Sequence, residues 1–315
     1  MKNILVIGGT GFLGSAVVRE LARRPGRCLP GIPLCGPASV NFQFTLPTRR
    51  RDKAKHLLVL PTADVVDADV HDPATLARLM QGQDAVISLV GVLKGGEGQP
   101  YGSGFARAHV ELPRKIAAAA RAAGVRRVLH VSALQAAADA PSGYLRSKAA
   151  GEAVLRDAGL DLTIFRPSVV FGPGDVFLNL FARMARIAPF FPLAGADARF
   201  QPVWVEDVAA TIADSLQRAD SIGASYDLCG PQQYSLRQLV KYAAAAGGHP
   251  RLVIGLPQAV GWLQAWAMEL IPNGPMTRDN IRSMRVASVC DSGCSLPFGR
   301  VATPLELVAP TYLRG

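Results

Sequence analysis

Asn3-Ile-Leu-Val-Ile-Gly-Gly-Thr-Gly-Phe-Leu-Gly14, NILVIGGTGFLG, is the stretch on which the reading of the fold turns. An apolar run of this length that stops at glycines is what a strand buried on both faces looks like. The glycines fall at Gly8, Gly11 and Gly14, a G-x-x-G-x-x-G spacing, and "SAVVRELARR" (15–24) continues with helical periodicity. A glycine loop between a buried strand and a helix lets the backbone approach a diphosphate. The helix N-terminus then faces the negative charge. Gly8, Thr10, Gly11, Phe12, Leu13 and Gly14 are therefore candidate cofactor contacts.

Outward from this loop, short β-type runs alternate with helical ones. "VNFQFTL" (40–46), "ADVV", "DAVISLV", "RRVLHVS" (126–132) and "LDLTIFRP" (160–167) read as strands. Segments 73–82 and 105–123 read as helices. The alternation predicts an α/β protein with a Rossmann-type, doubly wound parallel sheet and a smaller C-terminal α/β substrate region. We expect a Rossmann domain over 1–167, with 199–219 returning to it. Segments 168–198 and 220–315 would then form the smaller substrate or partner region. "VEDVAATIADSL" (205–216) reads as a helix, and Ser235 with Gln238 has the spacing of a capping box for a helix reaching Ala246. The Pro/Gly-rich insertion 25–39 fits neither helix nor central strand.

Composition narrows the function classes. With 49% hydrophobic and 18% charged residues the 315-residue chain is globular, not disordered. No uninterrupted apolar stretch reaches the ~18 residues of a membrane span, and the N-terminus lacks a signal-peptide cleavage pattern. Five cysteines with no C-x-x-C pair argue against a disulfide framework or a zinc site, and fit a reducing, cytoplasmic compartment. The formal charge of +10 suits a phosphorylated cofactor; no nucleic-acid-binding module accompanies it. Residues 252–271, "LVIGLPQAVGWLQAWAMELI", carry one charge, Glu269. They are expected to form a helix packed on the C-terminal region, or an apolar face that docks on a membrane or partner.

Tyr144-Leu-Arg-Ser-Lys148 supplies the candidate chemistry. One helical turn separates phenol from ammonium, so both can point at one spot. The ammonium is expected to favour the phenolate and lower the tyrosine pKa. The residue choosing between cofactors should follow the second strand, about 20 residues past the glycines once the insertion is discounted. Thr48-Arg49-Arg50-Arg51 stands there, and arginine suits a 2′-phosphate. Arg49 and Arg50 therefore favour NADP(H) over NAD(H).

With glycine loop and YLRSK together, the chain resembles the short-chain dehydrogenase/reductase superfamily, in its extended or atypical branch. The resemblance implies an adenine-contacting pair at Asp69 and Val70, and a nicotinamide-side loop at Leu89, Val90 and Gly91. It implies a catalytic serine at Ser132 in "HVSAL", and a cofactor-side turn at Pro167 and Val169 in "FRPSVVFGPGD". "HVSALQ", "YLRSKAAGE", "FGPGDVFLNLFARM" and "APTYL" look most like the nucleotide-binding accessory subunit of respiratory complex I and its bacterial relatives. That likeness implies bound NADPH, a respiratory-complex partner and a peripheral place at the inner membrane. The family's structural asparagine aligns with His109, a departure that puts its water relay in question. Two functions follow: carbonyl/alcohol redox or epimerase-type chemistry through Tyr144, Lys148 and Ser132, or a cofactor-holding accessory subunit. Nothing in the sequence selects a substrate or an oligomeric state.

Overall fold

The computed structural model describes residues 2–24, 42–271, 274–291 and 296–314. The readings of the 25–39 insertion, and of Cys28, Cys35 and Cys294, lie outside the described residues.

The first strand, β1 (Lys2–Ile7), leads through the glycine turn into α1 (Phe12–Ala22). Then follow β2 (Phe42–Thr48), β3 (Ala63–Asp67), α2 (Pro73–Met80) and β4 (Ala85–Ser88). A helical rod runs from α3 (Ser103–Phe105) through a π-helical turn (Ala106–Glu111) into α4 (Leu112–Ala122). After it come β5 (Arg127–Val131), α5 (Gly143–Arg156) and β6 (Asp161–Pro167). β7 (Val170–Phe171), α6 (Phe177–Ile187), β8 (Phe190–Leu193), β9 (Arg199–Phe200) and β10 (Val203–Trp204) precede α7 (Val205–Leu216) and β11 (Ser225–Leu228). The chain closes with β12 (Tyr234–Ser235), α8 (Leu236–Ala246), β13 (Leu252–Gly255), α9 (Gln258–Glu269), α10 (Arg278–Ser283), α11 (Leu305–Val308) and α12 (Pro310–Leu313).

Seven strands form one sheet in the order β3-β2-β1-β4-β5-β6-β11, every pairing parallel. The predicted Rossmann-type doubly wound sheet is what the chain builds. Period-two alternation explains the apolar run of β1: Ile4 and Val6 enter the core beneath α1 and α7, while Leu5 and Ile7 enter the one beneath α2 and α4. The chain leaves β1 toward β2 and β3, then crosses back to β4. The ends of β1 and β4 therefore open a crevice at the switch point.

A further apolar core gathers α6, β8, α8, β13, α11 and α12. The capping box forms as read, with Ser235 accepting from Gln238 N. Residues 252–271 are not one helix. Leu252–Gly255 pairs with β8, and Pro257 breaks the chain before α9 begins. That helix packs through Gly261 and Ala265, leaving Leu263 61% and Trp266 46% exposed, so the core-helix reading holds for one narrow strip.

The expectation of no disulfide is corrected. Cys229, just past β11, is joined to Cys290 beside Leu134. Sixty-one residues separate the pair, so spacing gave no sign of it. Among the described residues no cluster could hold a metal, and no helix is long and apolar enough to cross a membrane.

Candidate functional site

The glycine turn is shaped for close approach. Gly8 has φ +87°, and a Cβ there would sit 3.2 Å from the backbone of Leu89 and Val90. A Cβ on Gly14 would collide with the Gly8 carbonyl oxygen. Gly11 is the N-cap of α1 and offers no side-chain acceptor; the first turn carries no acid. The N–H groups around Phe12, Leu13 and Gly14 thus keep their positive field for an anion. Thr10 Oγ1 meets Thr48 Oγ1 at 3.5 Å, tying the turn to the end of β2, where exposed Arg49 and Arg50 follow. Among the described residues neither arginine forms an ion pair.

The other cofactor-side candidates collect along the same edge. Asp69 and Val70 follow β3, half-buried, with Asp69 Oδ1 accepting from His71 N at 3.0 Å. Leu89, Val90 and Gly91 leave β4, with Leu89 N donating to Ile7 O. Pro167 ends β6 and accepts from Leu134 N; Val169 accepts from Val203 N. The cradle, the open helix end and the converging strand ends fit a nicotinamide dinucleotide.

Across the crevice stands α5, started by Ser142, whose Oγ accepts from Leu145 N. It brings Tyr144 and Lys148 to one face, as read. Lys148 Nζ donates to Val131 O (3.2 Å) and Val90 O (3.4 Å), fixing the ammonium between the ends of β4 and β5. A Cβ on Gly91 would lie 3.3 Å from that nitrogen, so glycine leaves the space in front of it clear. Burial draws Lys148 down to about 8, against the pull of the Glu152 carboxylate one turn on. The tyrosine corrects the expectation of a lowered pKa. Burial pushes Tyr144 up to about 12. The phenol is held as an acid.

Ser132 is buried one residue past β5, and its hydroxyl has no hydrogen-bond geometry to a described residue. It adjoins Glu152 and helps hold that carboxyl in the charged form; burial opposes this, and bonds to Arg166 at 2.6 and 2.8 Å overcome it. Ala133, the next residue, belongs to the small buried apolar cluster against which Tyr144 packs. The structure thus brings Tyr144 and Lys148 to one helix face and leaves the buried Ser132 hydroxyl beside Glu152, without a hydrogen-bond partner among the described residues.

His109, the position singled out as a departure, is buried and hydrogen-bonded on both ring nitrogens. Its Nε2 accepts from Val92 N (3.0 Å), so the ring proton resides on Nδ1 and is donated to Ser147 Oγ (2.8 Å). Ser147 in turn donates to Tyr144 O (2.7 Å). The imidazole packs between Phe105 and Tyr144, and burial drives its pKa down to about 2. It therefore stays neutral and clamps the loop after β4 to the tyrosine helix. The π turn that carries it has a local cause. Pro113 has no N–H for the His109 carbonyl, and that carbonyl packs against Gly151, where no Cβ would fit.

Sequence reasoning missed Asp279. Its carboxylate, 6% exposed, accepts from Gly143 N (2.7 Å) and Tyr144 N (3.0 Å), capping α5 from the C-terminal segment. A cavity of 240 Å³ opens beside it, lined by Lys94, Glu97, Phe105, Glu269, Thr277 and Asp279. Phe105 lies against Tyr144, so this space borders the phenol's neighbourhood.

A family profile described as NAD(P)H-binding matches residues 37–174. The chain is 32% identical to mitochondrial NADH dehydrogenase (ubiquinone) 1 alpha subcomplex subunit 9 of Rattus norvegicus, over 98% of this chain and 79% of that one. It is 32% identical to the ceramide reductase of Caulobacter vibrioides, over 84% of this chain and 78% of the relative. In fold it matches an NADPH-dependent quinone oxidoreductase from Escherichia coli, complexed with NADPH, at TM-score 0.75 and 24% identity, covering 99% of this chain and 100% of that one.

Proposed function

Because the chain belongs to the NAD(P)-binding, short-chain dehydrogenase/reductase-like family that holds these complex I subunits and their bacterial relatives, we propose that it is an NADP(H)-dependent oxidoreductase reducing a carbonyl to an alcohol. One observation carries the reading: a half-buried phenol, kept protonated, stands one turn from an ammonium fixed between the ends of β4 and β5. When bound, the nicotinamide supplies the hydride. Tyr144 gives its proton to the substrate oxygen as that oxygen gains charge, and the resulting phenolate is steadied by the Lys148 ammonium. Lys148 also has a donor left, after Val90 and Val131, to hold the cofactor ribose. Asp69, Val70, Leu89, Val90, Gly91, Pro167 and Val169 flank the dinucleotide, and Arg49 and Arg50 receive a 2′-phosphate. Ser132, whose buried hydroxyl has no hydrogen-bond partner among the described residues, holds the substrate oxygen while Tyr144 gives its proton.

The test is Tyr144→Phe, assayed by NADPH oxidation against a panel of ketones, aldehydes and quinones. Turnover should fall at least about 100-fold, while NADPH affinity stays within about twofold. Retained turnover would overturn the assignment. A second reading, a subunit that holds NADPH without turnover, is favoured by the 32% identity to a respiratory-complex subunit along 98% of the chain. Under it, Tyr144→Phe leaves cellular function intact, and the partner is the respiratory complex.

A further inference from the structure

The outer surface of the C-terminal region carries an apolar face that the catalytic reading does not use. On α9 and its C-cap, Leu263 (61% exposed), Trp266 (46%) and Leu270 (69%) recur at helical spacing, on the side opposite Gly261 and Ala265. The two-stranded pair beside it repeats the pattern. Phe191, Leu193 and Val253 point into the core, while Phe190 (49%), Leu252 (64%) and Ile254 (44%) point out in register. The two surfaces adjoin: Gln264 donates to the Pro192 carbonyl, and Gly261 sits so near Ala194 that a Cβ would crowd it.

The charges around this face are cationic. Arg183 and Arg186, on the last turns of α6, are exposed just before Phe190. Arg251 precedes Leu252, and its Nε donates to Ala185 O, which joins the base of β13 to the end of α6. None of the three forms an ion pair among the described residues; Arg183 turns instead to Asn179 O. Glu269 is held by Arg278 at 2.8 Å, and Asp197, exposed, lies 3.6 Å from Arg237. An aromatic and aliphatic surface rimmed by unpaired arginines is complementary to acyl chains beneath anionic headgroups.

We infer that this face docks the protein on an anionic lipid bilayer, with Leu263, Trp266 and Leu270 entering the acyl boundary and Arg183, Arg186 and Arg251 meeting the headgroups. The inference is independent of turnover at Tyr144. Glu269 ends the docking helix and also lines the cavity near Phe105, so docking sets that cavity close to the interface.

Sedimentation with phosphatidylcholine vesicles, plain or with about one third phosphatidylglycerol, tests it in the full-length protein. Wild type should sediment with the anionic vesicles and stay in solution with the neutral ones. Leu263→Ser/Trp266→Ser should weaken binding at least about tenfold. Arg183→Glu/Arg186→Glu, whose exposed positions do not endanger folding, should weaken it at least about 25-fold, near fivefold per charge lost. Unchanged thermal midpoints and NADPH titrations show that both variants are folded. No sedimentation of wild type, equal sedimentation with both vesicle types, or variants that bind like wild type would each overturn the inference. So would a dimer in light scattering that Leu263→Ser/Trp266→Ser turns into a monomer, since a second copy would then cover the face.

Discussion

His130→Leu should make the protein less acid-sensitive. His130 lies on β5, 2% exposed, and neither ring nitrogen has a hydrogen-bond partner among the described residues. Burial lowers its pKa from 6.5 to about 3, with the Lys148 charge adding to the effect and Glu152 opposing it. The unfolded chain therefore binds a proton that the fold refuses between those values, so stability is fully present above 6.5 and is lost as pH falls toward 3. At about pH 5 the loss is RT ln(1 + 10^1.5), about 2 kcal/mol. His109, lowered to about 2 by its own burial, adds a loss of similar size. Leucine fills a similar volume without the polar nitrogens, so the variant should be at least as stable as wild type near neutrality. Thermal unfolding at about pH 8 and about pH 5 measures the difference: wild type should drop about 4 °C further than the variant, from about 2 °C per kcal/mol in a chain of this size. Equal drops would refute the claim that the imidazole is buried neutral and unpaired.

Arg49→Ala/Arg50→Ala should weaken NADPH about tenfold or more and leave NADH nearly unchanged, read by fluorescence titration of both dinucleotides; equal loss for both would refute the 2′-phosphate assignment. Asp279→Ala removes the cap that accepts from Gly143 N and Tyr144 N, and should cost about 2–3 kcal/mol in stability. Its kcat should fall further than its KM changes, because the start of the tyrosine helix loses its register; an unaltered kcat would show that the cap is structural only.

Six of the seven sheet strands were legible as short apolar runs, whereas the edge strand β11, Ser225–Leu228, has one buried residue in four and left no such run. Tyr144 and Lys148 were legible for a local reason, being one turn apart. Their protonation was not: sequence spacing suggested an ammonium that lowers the phenol's pKa, whereas burial, which spacing does not report, raises it. Asp279 caps a helix whose start lies 136 residues earlier, and Cys229 finds Cys290 across 61, so neither leaves a local trace. The π turn did leave one, in the pairing of Pro113 with Gly151 around the His109 carbonyl. At 252–271 the unbroken apolar composition concealed Pro257, although a proline there argues against a continuous helix.

Calorimetric titration of NADPH into wild type and Gly14→Val tests the central claim most directly. Wild type should bind, and the variant, whose added carbons would strike the Gly8 carbonyl where the helix meets the glycine turn, should lose binding at least about 100-fold. A wild type that binds neither NADPH nor NADH, or a folded Gly14→Val that binds as tightly as wild type, would contradict the assignment of this crevice to a nicotinamide dinucleotide.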